Sequence, residues 1–438
     1  MKKSNKLTAI PFLSFLMIIA AIPLSAQLTK TEKKIISYVD RNNSTALKLW
    51  EEVVNINSGT MNFDGVAKVG QVFKTKLDAL GFTTKWIDGK PFNRAGHLFA
   101  EHKGKGKIIL LIGHLDTVFE LSSPFQKFTI LNDSTVQGPG VGDMKGGDVI
   151  MIQSLQALKD ADLLKNMNII IVMSGDEELS GDPLSLSKHD LIEAAKTADI
   201  ALGFEDGAGN PKKANISRRS SSGWDLKVTG IPSHSSQIFT NKIGAGAIFE
   251  ASRILTEFYK QLSTEQDLTF NPSVILGGST VNYNDDMNGG KAFGKGNIVP
   301  KEAFISGDIR AISPEQLAKA QNIMKGIVAN HLPNTEAEIT FSEGYPPLAP
   351  TPGNYELLKT FDKVSKDLGF GGVTAVNPRD AGAADISFTS GYVDMAMDGL
   401  GPGSSGGHTA NETANPITFL RQTKRAALLL YRLTMNDK

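Results

Sequence analysis

Cysteine is absent from the 438 residues, which removes disulfide frameworks, thiolate metal sites and cysteine nucleophiles together. Any metal site has to be assembled from His, Asp and Glu. Histidine is scarce, with seven in the chain, so each imidazole can be weighed separately. Net charge is missing as well: Lys plus Arg and Asp plus Glu number 46 each. That balance argues against binding driven by bulk charge to nucleic acid or anionic membranes, while allowing a local patch. Beyond Leu24 no apolar run approaches the ~20 residues of a membrane helix. What is present is an ordinary globular mixture, 40% hydrophobic and 21% charged. The length suits two domains at the usual ~100–200 residues each.

The chain begins with an address. Lys2, Lys3 and Lys6 precede an apolar run from Leu7 to Leu24, broken by Pro11 and Pro23, and Ser25-Ala26 then supplies small residues before Gln27. This is the layout of a secretory signal peptide over residues 1–26, implying export to the periplasm or beyond; an uncleaved anchor is the competing reading.

From Leu28 to Leu80 apolar residues recur at three- and four-residue spacings, as in Ile35, Ile36, Val39, Trp50, Val53 and Val54, which predicts helices. A second helix spans Val66 to Leu80, with Gly81 as its stop. The runs Lys107–Ile112 and Met167–Met173 predict buried strands on either side of a helix over Gly147–Ala161. Strands alternating with helices imply an α/β fold, a mostly parallel sheet with helices on both faces, whose strand ends collect ligands. The character changes near Ser217. Strands Trp224–Thr229, Val274–Asn282, Ala303–Ile312 and Glu336–Ser342 and helices Ile243–Leu262 and Pro314–His331 give the β-α-β-β-α-β order of a ferredoxin-like α+β unit. The expected division is 27–217 and 345–438 for the sheet domain, with 218–344 inserted as a lid.

Five short segments carry chemistry. Gly113-His114-Leu115-Asp116 follows the first strand; Asp116 is spaced to accept the second N–H of His114, although such a triplet alone is more often structural. Gly138–Gly147 sets Asp143 among five glycines, as a ligand loop or as a helix N-cap. Asp176-Glu177-Glu178 follows the second strand, where three acids repel unless a cation or proton compensates. Phe204-Glu205-Asp206 taken alone is an acidic turn. His408 ends a loop holding five glycines from Gly399 onward. Together they offer imidazole and carboxylate ligands that suit zinc, and also manganese or cobalt.

In this order H-x-D, G-P-G-x-x-D-x-K-G-G, D-E-E-x-x-G, F-E and G-G-H resemble the motifs of the di-zinc aminoacylase and carboxypeptidase family, most of all its bacterial folate-hydrolysing glutamate carboxypeptidases. The resemblance covers nearly the whole mature chain. It implies two Zn2+ ions, or Co2+ or Mn2+ in their place. His114 and Glu205 would hold one, Glu178 and His408 the other, and Asp143 would bridge them. Glu177 would be the general base and Asp116 would orient His114, while Asp206 beside Glu205 leaves a one-residue slip open. In the lid, His234 matches a residue that reaches the partner's site in a homodimer, and Asn297 and Arg310 match residues that hold the substrate carboxylate. The implied activity is a metal-dependent exopeptidase acting on a peptide or N-acyl amino acid, beside a C-terminal carboxylate. An N-acyl-amino-acid deacylase, an aminopeptidase or a dipeptidase are alternatives within the family; a non-catalytic binding protein is the alternative outside it. No nucleic acid and, once the leader is cut, no membrane is expected as partner.

The chain departs from the family pattern at Met144, where many members carry a second acid, at Arg379–Asp385, and at Arg218-Arg219. Glutamate preference therefore stays open. His97, His102, His189 and His331 are expected at the surface.

Overall fold

The computed structural model describes residues 28–284 and 287–435, so the leader expected over residues 1–26 lies outside the described residues. Its main sheet has six strands in the order Thr83–Asp88, Gly96–His102, Met167–Ser174, Lys105–His114, Ile200–Gly203 and Met395–Met397. The last four run parallel and the first two join antiparallel.

The central strand Lys105–His114 shows why its sequence has no polar alternation. Ile109 and Leu111 enter one core, with the helices Lys30–Val54, Phe63–Leu80, Lys145–Asp160 and Pro416–Met435. Leu110 and Ile112 enter another, with Leu191, Ala194 and Ala195 of the helix His189–Thr197. Both faces are covered, so every residue from Ile108 to Ile112 is apolar. Across the first core, Trp50 stacks on Phe419 at 4.7 Å and ties the first long helix to the last.

A second sheet takes the order Thr269–Gly278, Glu302–Arg310, Ser222–Gly230, Thr335–Phe341, antiparallel throughout. Helices Ala247–Leu262 and Pro314–Val328 cover one face, packing Ile254, Phe258 and Met324 on Trp224, Leu226 and Ile305. Ser313 accepts the Gln316 amide and Pro314 occupies the first turn, a start the sequence encodes locally. This is the expected ferredoxin-like order.

Two expectations need correction. The strand over Val274–Asn282 divides at Ser279, and Thr280–Asn284 pairs instead with Gly289–Phe293 as a separate hairpin. Gly278 lies so close to the Phe293 backbone that only a residue without a Cβ fits the break. Gly96–His102 forms no hairpin with Lys105–His114, because Met167–Ser174 lies between them. Apolar on both faces, that strand has no polar side to leave at an edge. His97 is accordingly buried, 2.9 Å from the Ser187 carbonyl and accepting the Gly175 amide at 3.1 Å.

Candidate metal centre

Three parallel strands end side by side, and each delivers a candidate ligand. His114 closes its strand opposite Ser174, and Ile112 pairs with Gly203. Glu177 and Glu178 follow Ser174, and Glu205 follows Gly203, so all three loops share the carboxyl edge of the sheet. Asp143 comes from the glycine-rich loop. Its N-cap alternative fails, because Met144 is the cap residue of the helix Lys145–Asp160 and no side chain caps it.

Asp143 Oδ1 lies 3.1 Å from His114 Nε2, and Oδ2 lies 3.0 Å from His408 Nε2. Glu205 Oε1 is 3.2 Å from His114 Nε2, and Glu178 Oε2 is 3.0 Å from His408 Nε2. Two imidazoles thus each face one private carboxylate and share Asp143. Potential ligand atoms of His114, Asp143 and Glu178 lie within 4.8 Å of one another, as do those of His114, Glu177 and Glu205. Asp206 turns away and accepts from the Ser404 hydroxyl, so the geometry selects Glu205.

Electrostatics points to missing positive charge. Burial alone would lower His114, yet Glu205, Asp116 and Asp143 push it well above the usual imidazole value. Hydrogen bonds donated to Asp143 and Glu178 raise His408 likewise. Burial raises Glu205, with Asp143 adding to it. Glu177 rises well above the carboxylate range through burial, reinforced by Glu205, Asp385 and Glu178. Protons on the two imidazoles supply charge that bound cations would supply instead, and binding would release those protons. Hard oxygens and imidazoles in this arrangement fit a pair of zinc-like ions.

Asp116 does more than face His114. His114 Nδ1 lies 3.1 Å from the Asp116 carbonyl and 3.4 Å from its carboxylate. That carboxylate accepts the Thr60 hydroxyl at 2.7 Å and the amides of Glu177 and Glu178 at 3.1 and 3.2 Å, holding the acidic loop. Glu412 was not singled out by sequence, although it closes the His408 segment. It accepts the amides of Gly140, Gly142 and Asp143 at 3.0, 2.9 and 3.1 Å and shapes the glycine loop. Lys188, also missed, neutralises Asp176 at 2.9 Å, so the first of the three successive acids belongs to an ion pair. His408 itself adopts φ 61°, a conformation uncommon for residues with a side chain and typical of functional positions.

The structure gathers His114, Asp116, Asp143, Glu177, Glu178, Glu205 and His408. The lid residues stand apart. A cavity of about 220 Å³ against the metal residues is lined by Asp143, Glu177, Glu205, Arg218, Asp380 and His408 among others, but not by His234, Asn297 or Arg310. His234 is exposed, with Nδ1 2.9 Å from Ser236 Oγ, and Arg310 donates to Asp308 at 2.9 Å. Asn297 accepts the Ser235 amide at 2.8 Å, which places it beside His234.

The chain is 25% identical to carboxypeptidase G2 of Pseudomonas sp. (strain RS-16) over 370 residues, 83% of each chain. It is similar in fold to aminopeptidase PepT from Bacillus cereus ATCC 10987, with TM-score 0.67, 17% identity and coverage of 89% of this chain and 98% of that one. The metallo-carboxypeptidase Sso-CP2 from Sulfolobus solfataricus gives TM-score 0.63 and 17% identity, with coverage of 88% and 98%. Residues 110–436 match the model of peptidase family M20/M25/M40, and the chain belongs to that family of metallopeptidases.

Proposed function

We propose that this metal-dependent exopeptidase is a carboxypeptidase, cleaving an amide bond next to a C-terminal free carboxylate with Glu177 as general base. The observation that carries the reading is the sharing of Asp143 between two imidazoles, with the half-buried Glu177 beside them. His114 and Glu205 would hold one cation, Glu178 and His408 the other, and Asp143 both. Such a pair, zinc in our reading, supplies Lewis acidity that makes a water a nucleophile near neutral pH.

Glu177 takes the proton of the attacking water and returns it to the leaving nitrogen, a role its raised affinity for protons suits. Asp116 keeps Glu177 in place through its amide. Arg310 and Asn297 would clamp the carboxylate once the lid approaches, and His234 would stabilise the developing oxyanion from the partner of a lid-mediated homodimer. The domain division 27–217, 218–344 and 345–438 and export behind a leader over residues 1–26 belong to the same reading. It is supported by the similarity to carboxypeptidase G2.

The test is a panel of dipeptides, N-acyl amino acids and amino-terminally blocked peptides, with zinc added to the chain from Gln27. Hydrolysis of blocked peptides with a free C-terminus supports the carboxypeptidase. Turnover restricted to simple acyl groups makes it a deacylase, and a requirement for a free amine makes it an aminopeptidase or dipeptidase.

A further inference from the structure

The lid joins the main sheet through two chain crossings that lie side by side. Arg218 and Leu348 exchange backbone hydrogen bonds of 3.0 and 2.9 Å, and so do Ser221 and Tyr345. Each crossing sends one side chain toward the metal residues. Arg218, 6% exposed, donates from Nε and Nη2 to Asp398 Oδ2 at 3.1 and 2.7 Å, and from Nη1 to the Gly382 carbonyl at 2.7 Å. Asp398 turns its other oxygen to the Glu205 amide at 3.1 Å. The Tyr345 hydroxyl lies 3.0 Å from the Glu177 carbonyl, 3.1 Å from Ser180 Oγ and 3.2 Å from Asp385 Oδ1, so it touches the loop on both sides of Glu178.

Both contacts are held rigidly. A buried guanidinium with three of its donors engaged fixes the direction of Asp398 in a way a flexible ammonium does not. The Tyr345 ring packs edge-on against Phe388 at 4.9 Å, with the buried Lys188 ammonium 5.5 Å from its centre, so packing sets where the hydroxyl sits. One crossing therefore grips the loop of Glu205 and the other the loop of Glu178, the private ligands of different imidazoles.

We infer that Arg218 and Tyr345 are positioning residues through which the lid sets the two halves of the metal centre separately: Arg218, by way of Asp398, sets the Glu205 half, and Tyr345 sets the Glu178 half. The inference rests on the dinuclear reading above. Partners one step removed from a ligand typically change metal affinity by roughly 10–100-fold when altered.

Cobalt titration of the metal-free full chain, followed by calorimetry and by visible absorption, separates the halves in two backgrounds. His408→Ala leaves the His114–Glu205 half, and His114→Ala leaves the Glu178–His408 half. In the first background Arg218→Lys is expected to weaken cobalt binding roughly ten-fold and Tyr345→Phe less than about two-fold; in the second the order reverses. Asp398→Asn should reproduce the arginine effect in the first background, and melting temperatures taken alongside show that each variant is folded. Losses that are equal in both backgrounds, or no loss in either, overturn the inference. A parent chain that binds cobalt at neither half overturns the dinuclear reading as well, a result visible before any positioning variant is made.

Discussion

Asp143 faces a different imidazole with each carboxylate oxygen, Oδ1 at 3.1 Å from His114 and Oδ2 at 3.0 Å from His408. In the proposed dinuclear reading a residue placed this way would serve both cations and each imidazole one. Asp143→Asn is therefore expected to lose both metals, and His408→Ala only one. Elemental analysis of the purified variants after dialysis reads this directly. Retention of two metals by the asparagine variant would remove the bridge.

Glu177 is half-buried beside the centre, and in the proposed mechanism it is the base and holds neither cation. Glu177→Gln keeps its shape and should leave metal content unchanged while lowering kcat by about 10²–10⁴-fold, the usual worth of a general base. Steady-state kinetics on the best substrate of the panel, with metal analysis on the same sample, decides it. Unchanged kcat would show that another group takes the proton.

Glu412 holds the glycine loop by accepting three consecutive-segment amides, from Gly140, Gly142 and Asp143. Glu412→Ala leaves those donors without their acceptor, at about 1–3 kcal/mol for each one that stays buried and unpaired. Metal affinity should fall although Glu412 faces no imidazole. Burial pushes its carboxyl up to about 7, so the neutral form is already accessible near neutral pH. Glu412→Gln keeps one acceptor oxygen but sets an NH2 group against an amide donor, so its affinity and melting temperature are expected to fall between those of the parent and the alanine variant. An alanine variant with parental metal affinity would show that the loop holds itself.

The legible parts of this molecule are those whose physics is local. Lys107–Ile112 and Met167–Met173 announce buried parallel strands because both faces are apolar, which places His114 and Glu178 at strand ends, while their roles and that of Glu205 come from the order of the five motifs. The helix Pro416–Met435 opens on a proline, which suits a first turn. Asp398 obeys the same end-of-strand logic, but its strand, Met395–Met397, is too short to register as a pattern. Lys188 sits in a polar stretch that resembles a loop, and only tertiary pairing with Asp176 and Asp385 reveals it as buried. His97 lies near basic residues in sequence, Arg94 and Lys103, which suggest a surface position, and its burial comes from Met167–Ser174 pairing beside its strand.

Lys188 also sets the response to acid. Its ammonium lies 2.9 Å from Asp176 and 3.1 Å from Asp385, with all three side chains buried. Burial would raise Asp176, but Lys188 and His97, with the Ser187 hydroxyl, bring it down to about 2 from an ordinary 3.8. A folded value below the unfolded one means the unfolded chain binds the proton more readily. The contribution is complete above the ordinary value and is lost as pH falls from about 4 through about 2, amounting to roughly 2 kcal/mol. Lys188→Met removes the cation and leaves buried acids uncompensated, which should cost about 3–5 kcal/mol near neutral pH. Because protonating Asp176 then relieves the buried charge, the deficit should shrink toward pH ~3. Urea unfolding midpoints of parent and variant at both acidities measure the convergence, and two curves that stay parallel would show that the ion pair does not govern acid stability.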